Sequence, residues 1–281
     1  IKKYLKIKSF YFDIHDDKKL NLTIKKIKPE IIFHFAAQSI VLTSFKDEKK
    51  TFDTNVIGTI NLIKSLNNLK SLKKIFFITT DKVYDVRKNS DKFSENDCLY
   101  GNDPYSLSKV ISDLSSQYYS KFLKKKKIQC FTIRAGNVFG GGDFGKYRLV
   151  NDFFKKKKLL IRNPNSTRPF QFILDTIYKY LLIGCIKERN FNHCIWNIAP
   201  NKSLKVSKVL SLFNKGINKK IYIKKISIKE TNLLEISNKK FLKKFGGNFE
   251  TNFEKNVILS KNIYANFNNK SILVNEEIEK Q

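Results

Sequence analysis

At 281 residues, 41% of them hydrophobic, the chain is long enough for one large domain or two small ones and too apolar to be disordered. Its formal net charge of +30 would ordinarily suggest an anionic partner. The lysines are dispersed among many Ile, Asn and Phe, as a compositional bias on every solvated surface would leave them, and no basic-plus-aromatic pattern of a nucleic-acid binder accompanies them.

The runs at 124–127 and 155–158 read as helix ends or turns, where cations suit the local dipole. Cys98, Cys130, Cys185 and Cys194 have no Cys-x-x-Cys spacing, and His15, His34 and His193 are scattered. That pattern supports neither a metal site nor a disulfide framework, and it fits a reducing cytoplasm. No apolar run approaches the ~20 residues of a membrane helix, and no signal peptide is visible. The chain begins with Ile1 and contains no Met, so its natural N-terminus is expected to lie upstream.

In chain order, residues 6–14 (KIKSFYFDI) read as a strand ending in an acid. Residues 16–27 carry Leu20, Ile24 and Ile27 at helical spacing. After Pro29, residues 30–37 (EIIFHFAA) read as a buried strand, with His34 more simply a packed core histidine than a ligand. Residues 51–66 repeat apolar positions at three- and four-residue steps, as a helix does. Residues 74–80 (KIFFITT) form another apolar run, which ends abruptly in Asp81-Lys82. A loop rich in Asn, Ser and Asp, including Asn89, Ser90 and Asp91, follows up to Tyr100.

Asp103 is a good N-cap and Pro104 suits a first helical position, so a helix is expected from there to about Lys124. Tyr105 and Lys109, four apart, share one face of it. A phenol beside an ammonium is a proton-transfer pair, since the cation favours the phenolate. Alone, such a pair is more readily a chance feature of an amphipathic helix in a chain this rich in Tyr and Lys. Residues 128–133 (IQCFTI) are a further strand, delivering Arg134-Ala135-Gly136-Asn137 and then Gly140-Gly141-Gly142. Continuous apolar runs without alternation fit a parallel sheet covered on both faces. Strands alternating with helices predict right-handed βαβ units in a doubly wound α/β sheet. Ligands bind at the carboxyl ends of such strands, where residues 36–38, 79–82 and 134–137 fall.

Residues 161–175 are irregular. Arg162 and Arg168 in them suit either a phosphate clamp or an ordinary surface. A helix at 177–186, a strand at 194–198 holding Trp196, and a helix at 206–213 follow. From Ile221 short strands and helices are expected, with Gly246-Gly247 as a break and a tail of weak patterning after Asn248.

These pieces together resemble the extended short-chain dehydrogenase/reductase family in its sugar-nucleotide branch, and within it the CDP-glucose 4,6-dehydratases. The resemblance rests on FHFAAQS (33–39), TNVIGT (54–59), TTDKVY (79–84), DPYSLSK (103–109), RAGNVFGGGDF (134–144) and RNPNSTRPFQ (162–171). It covers roughly residues 6–245. Two departures stand out. The glycine-rich fingerprint that cradles a dinucleotide pyrophosphate is absent and would belong before residue 6. Phe172 stands where the family tends to have His.

The resemblance implies a Rossmann-like doubly wound parallel sheet lacking its first strands. An NAD-binding domain would span 1–140, completed by 172–200, and a smaller sugar-nucleotide-binding part would comprise 141–171 and 201–281. It implies NAD as cofactor, with Asp13 and Ile14 flanking its adenine end, Ala36, Ala37, Gln38 and Thr54 its middle, and Tyr105 and Lys109 its nicotinamide. Thr80 and Tyr105 would act on the sugar C4 hydroxyl and Asp81 would be the acid. Lys82 would be either the base or an electrostatic stabiliser of the enolate, and it favours the CDP-sugar group, since dTDP-sugar relatives carry an acid there. Asn137, Arg148, Arg162 and Arg168 would hold the nucleotide sugar. The implied activity is the 4,6-dehydration of a nucleotide sugar for deoxysugar and cell-surface polysaccharide synthesis, such as O-antigen and lipopolysaccharide. It would be carried out by a cytoplasmic homodimer with no metal, nucleic-acid or membrane partner. Another nucleotide-sugar dehydratase or an epimerase of the same family, and a non-catalytic truncated relative, are the alternatives, and without the fingerprint the 281-residue chain alone is expected to be inactive.

Overall fold

The computed structural model describes residues 7–87, 92–187, 191–223 and 231–268. Lys6, the loop residues Asn89, Ser90 and Asp91, and the tail beyond 268 lie outside them.

Elements follow the expected alternation: α1 (Asp17–Ile27), β1 (Ile31–His34), α2 (Val41–Lys46), α3 (Glu48–Phe52), a π turn (Asp53–Ile57), α4 (Gly58–Ser65), β2 (Lys74–Thr80), a 3-10 turn (Asp81–Val83), α5 (Pro104–Lys125) and β3 (Gln129–Ala135). Next come β4 (Val138–Phe139), α6 (Leu149–Lys155), β5 (Leu159–Ile161), β6 (Thr167–Arg168), β7 (Gln171–Phe172), α7 (Ile173–Gly184) and β8 (Cys194–Ile198). The chain continues through β9 (Leu204–Lys205), α8 (Val206–Asn214), β10 (Ile221–Ile223), α9 (Lys239–Phe245) and α10 (Phe253–Asn268). The protein is an α/β fold. A four-stranded sheet has the order β1-β2-β3-β8, and β1 runs parallel to β2 with Ile31 opposite Lys74 and His34 opposite Phe77.

One expectation fails. Residues 7–12 form no strand; Phe12 and Ile14 instead pack against an apolar cluster. A β-rich run becomes a strand only when a neighbouring strand receives its backbone groups, and the described sheets place none beside it.

The chain divides into two compact units. Unit 1 comprises the described residues of Ile1–Val83, Leu99–Ile133 and Lys187–Ile195; unit 2 those of Tyr84–Cys98, Arg134–Ile186 and Trp196–Gln281. The expected 1–140 domain completed by 172–200 and these units divide the chain differently only at 84–98, 134–140, 172–186 and 196–200, which group with unit 2, where 141–171 was expected.

In unit 1, Leu20 and Ile24 of α1, Leu62 and Ile63 of α4 with Leu66 at its C-terminal cap, Ile75 and Phe77 of β2, and Cys130 of β3 make one core. Gly58 is required there: a Cβ at that position would sit 2.5 Å from the Ile14 side chain. In unit 2, Phe139, Phe153, Phe172 and Phe213 meet Val209, Leu210, Val257 and Tyr264. Phe172, where the resembled family tends to have His, is a core residue, 5% exposed. Val257 and Tyr264 belong to α10, a helix that the weak patterning of the tail did not reveal.

Candidate active site

α5 begins as the sequence predicts. The Asp103 side chain accepts from Ser106 N (2.8 Å) and the Ser106 hydroxyl accepts from Asp103 N (2.9 Å), a reciprocal capping box ahead of Pro104. Helix starts leave N–H groups without intrahelical partners. Here Tyr105 N donates to the Ser44 hydroxyl of α2 (3.1 Å). The rest of the inner face is small. Ser108, Ser112, Ser116 and Ser120 turn their hydroxyls onto α5 carbonyls, which lets the helix lie close to its neighbours.

Tyr105 and Lys109 are both buried in this first stretch, 8% and 6% exposed. Lys109 Nζ donates to the Ile78 carbonyl of β2 at 2.8 Å. Burial disfavours its ammonium and pulls its pKa down to about 8, with Asp113 acting in the opposite direction. β2 itself runs into the 3-10 turn, which puts three candidates in succession at its carboxyl end. The Thr80 hydroxyl donates to Asp81 Oδ1 (3.0 Å) and accepts from Lys82 N (3.3 Å), and Asp81 is 1% exposed. Lys109 thus ties the helix to β2 two residues before Thr80, and Tyr105 stands one turn before Lys109 on the same helix.

A second set of residues, centred on Asn55, which had no role assigned from sequence, holds this arrangement. Asn55 lies in the π turn, whose widened ring frees backbone groups for other partners. Its amide accepts from Gln38 N (2.8 Å), donates to Gln38 O (3.0 Å) and donates to the Ser108 hydroxyl (2.8 Å). One side chain therefore locks the loop after β1 to the Tyr105 helix. The Asn55 carbonyl accepts from Thr59 and Ser112. Because the Thr59 hydroxyl donates there, it must accept from His34 Nε2 (2.9 Å), which assigns the proton to that nitrogen. Burial, and then the Lys109 charge, hold His34 neutral with a pKa near 3. It is the packed histidine that the sequence suggested.

The expected cofactor contacts also lie in unit 1. Gln38 follows β1 with Ala36 and Ala37, its side chain bonded to Ile40 O and the Thr51 hydroxyl. Thr54 lies in the π turn, and Ile14 packs beside Gly58. Asp13 accepts from His15 N at 3.0 Å.

The expected nucleotide-sugar contacts lie in unit 2. The Asn137 carbonyl accepts from Gln171 N (2.8 Å), and Arg148 Nε is 3.5 Å from Asp143. Arg162 is half-buried. Arg168 is buried, donating to the carbonyls of Thr167 (2.8 Å) and Thr231 (2.6 Å). Unit 2 also holds a closed ring that no sequence motif announced. Arg134 Nη1 donates to the Tyr84 hydroxyl (3.1 Å) and to Glu95 O (3.0 Å). Tyr84 donates to Asn197 Oδ1 (2.6 Å), and Asn197 N donates to Glu95 Oε1 (2.9 Å). Among the described residues no cluster of His, Cys, Asp or Glu is arranged to hold a metal ion, and no helix is long and apolar enough to cross a membrane.

Comparison with known proteins adds an independent line. Residues 2–245 match the family model described as GDP-mannose 4,6 dehydratase. The chain is 37% identical over 182 residues to CDP-glucose 4,6-dehydratase of Salmonella typhimurium, covering 61% of this chain and 51% of that protein. It is 34% identical over 186 residues to UDP-glucose 4-epimerase of Mycoplasma genitalium, covering 61% and 54%. It spans about half the length of these relatives. Among solved structures, dTDP-glucose 4,6-dehydratase from Streptomyces venezuelae, determined with NAD bound, superposes with a TM-score of 0.79 at 19% identity, over 91% of this chain and 78% of that one. UDP-glucose 4-epimerase from Thermotoga maritima, with UDP-glucose, gives 0.81 at 18%, over 92% and 84%. At these identities the structural likeness establishes the fold.

Proposed function

The chain belongs to the GDP-mannose 4,6 dehydratase family, and from that premise we propose that it performs the NAD-dependent 4,6-dehydration of a nucleotide sugar, with CDP-glucose the leading substrate. The observation that carries this reading is the end of β2. Thr80, Asp81 and Lys82 stand in succession there, beside a buried Tyr105–Lys109 pair anchored to the same strand. Lys82, in place of a second acid, and the Salmonella relative support the CDP-sugar choice.

The residues present suit the nicotinamide side of a dinucleotide, while the glycine-rich cradle for its pyrophosphate is not among them. Small side chains at Ala36 and Ala37 follow β1, Asn55 fixes the adjoining Gln38 backbone, and a buried ammonium stands nearby. Asp13, Ile14 and Thr54 would extend that contact, while Asn137, Arg148, Arg162 and Arg168 would hold the nucleotide sugar. Bound NAD would accept a hydride from C4 of the sugar and later return it to C6. Tyr105, as the phenolate that the Lys109 ammonium stabilises, takes the proton of the C4 hydroxyl and becomes the phenol, and Thr80 hydrogen-bonds the same oxygen. The C4 ketone acidifies the C5 proton. Lys82 removes that proton or stabilises the enolate left behind, and Asp81 gives its proton to the C6 hydroxyl, which departs as water. The product is a 4-keto-6-deoxy sugar nucleotide, a precursor for deoxysugars of cell-surface polysaccharides, and under this reading the reaction belongs in the cytoplasm. Leu107, Leu114, Tyr118 and Phe122, all exposed along α5, support a homodimer formed through that helix.

The second reading is 4-epimerisation, which the Mycoplasma relative supports. It uses the Tyr105–Lys109 pair without needing an acid at Asp81. Mass spectrometry of CDP-glucose incubated with the protein and NAD separates the two. Dehydration yields a product lighter by one water, whereas a CDP-hexose of unchanged mass and inverted C4 would establish the epimerase.

A further inference from the structure

We propose that Asp113 is a positioning residue of this site: its buried carboxylate keeps the Lys109 ammonium charged and fixes the hydroxyl of Thr79, the neighbour of Thr80. The inference deepens the dehydratase reading and rests on it for its consequence in catalysis.

Tyr105, Lys109 and Asp113 are spaced at four-residue intervals, so they lie on one face of α5. Asp113 is completely buried and Lys109 nearly so. The two side chains reach consecutive residues of β2: Lys109 donates to Ile78 O, and Asp113 Oδ2 accepts from the Thr79 hydroxyl at 3.1 Å. Asp113 Oδ1 accepts from Gln117 Nε2 at 2.7 Å, so both carboxylate oxygens are bonded. The Thr79 hydroxyl also faces the Ile133 carbonyl of β3 at 3.3 Å. An isolated charge in such a place costs several kcal/mol, whereas two opposite charges on one helix face offset each other.

The groups around Lys109 leave this task to Asp113. His34, from β1, is neutral. Tyr105 precedes it on α5. The π turn and α4 offer Asn55 and Thr59, which are uncharged. Glu48, Lys49 and Lys50 of α3 are exposed, and Asp53 pairs with Lys49. Asp81, beyond the end of β2, takes the Thr80 hydroxyl. Burial already brings Lys109 to about 8, and Asp113 is what opposes a further fall. Without that carboxylate the ammonium would lose its proton at lower pH, and the phenolate of Tyr105 would lose its counter-charge there.

The test titrates Lys109 directly. In protein carrying 13C-labelled lysine, the Lys109 resonance is assigned by its loss in Lys109→Arg, and its midpoint is compared across variants. Asp113→Asn should lower the midpoint by about one unit or more, and Asp113→Glu should restore it. Thr79→Val, which removes a hydrogen bond but no charge, should leave it in place. An unchanged midpoint in Asp113→Asn, or an equal shift in Thr79→Val, overturns the proposal. If Asp113→Asn does not fold, Lys109→Met/Asp113→Asn should, because the stranded charge is gone; failure of that double variant also overturns it. In turnover, the alkaline limb of kcat/KM should move to lower pH in Asp113→Asn by the same interval. A scaffold role would lower the whole profile without moving the limb, and that result too counts against the proposal. The NMR midpoint does not depend on turnover. A shifted midpoint in a protein that dehydrates no nucleotide sugar would therefore sustain the charge pairing and refute the function.

Discussion

Each unit buries a polar network, and the two networks differ in what they can do. In unit 2 the ring joins Arg134, Tyr84, Asn197 and Glu95, and its arginine and tyrosine keep their protonation near neutral pH. A guanidinium stays charged, and burial pushes the Tyr84 phenol up to about 12. In unit 1 the network around α5 contains Lys109, brought by burial to about 8, and His34, brought to about 3. Both are satisfied and both are buried. Only the unit 1 network contains a group able to change its charge within a unit or so of neutral pH, which is the property proton transfer needs. Burial of polar groups alone does not mark a catalytic centre; burial that moves a titration toward the working pH supports a catalytic reading.

The comparison breaks most visibly at Tyr105. Tyr105→Phe should lower CDP-glucose turnover by ~10²–10⁴-fold while calorimetry finds nucleotide-sugar binding nearly unchanged. Wild-type turnover by that variant would remove the chemistry from unit 1. Tyr84→Phe, which keeps the ring stacked on Phe93 but opens the hydrogen-bonded circuit, should cost about 1–3 kcal/mol in denaturant unfolding. The loss should be equal at pH 6 and pH 8, because the phenol does not ionise in that interval.

His34 gives a pH-dependent counterpart. Its folded pKa lies near 3 and its unfolded value near 6.5. The unfolded chain therefore binds the extra proton between those limits, and stability falls as pH drops from 6.5 toward 3. His34→Gln should flatten that part of the stability curve; a curve as steep as wild type would contradict the assigned burial. The smallest expected effect is at the surface. Leu114→Glu, on the exposed stripe of α5, should shift sedimentation toward monomer with little change in fold.

Legibility in the sequence followed locality. KIFFITT and CIWNI coincide with β2 and β8, because continuous apolar runs between polar breaks fix both extent and type. The α5 start was readable from Asp103 and Pro104, since a cap acts within three residues. KIKSFYFDI misled because β-propensity does not supply a pairing strand. α10 was missed because its apolar positions are interrupted by Asn and Lys, and Val257 and Tyr264 acquire meaning only from the core they enter. In the site, Tyr105 and Lys109 formed a short-range pattern, and Asp113 completed it one turn on. Asn55 and the Arg134 ring were illegible for a different reason: Tyr84 and Asn197 are 113 residues apart, and no periodicity links them.

The central claim is that the end of β2 adds dehydration to the redox pair of α5, and Asp81 tests it most directly. Asp81→Asn keeps the side chain's shape and removes its transferable proton. Mixed rapidly with CDP-glucose in the presence of NAD, the variant should oxidise C4 and then stall, so that nicotinamide absorbance shows NADH appear and persist with a 4-keto sugar bound. If NADH never accumulates and the 4-keto-6-deoxy product forms at the wild-type rate, Asp81 is not the acid and the dehydratase reading of this strand end is wrong.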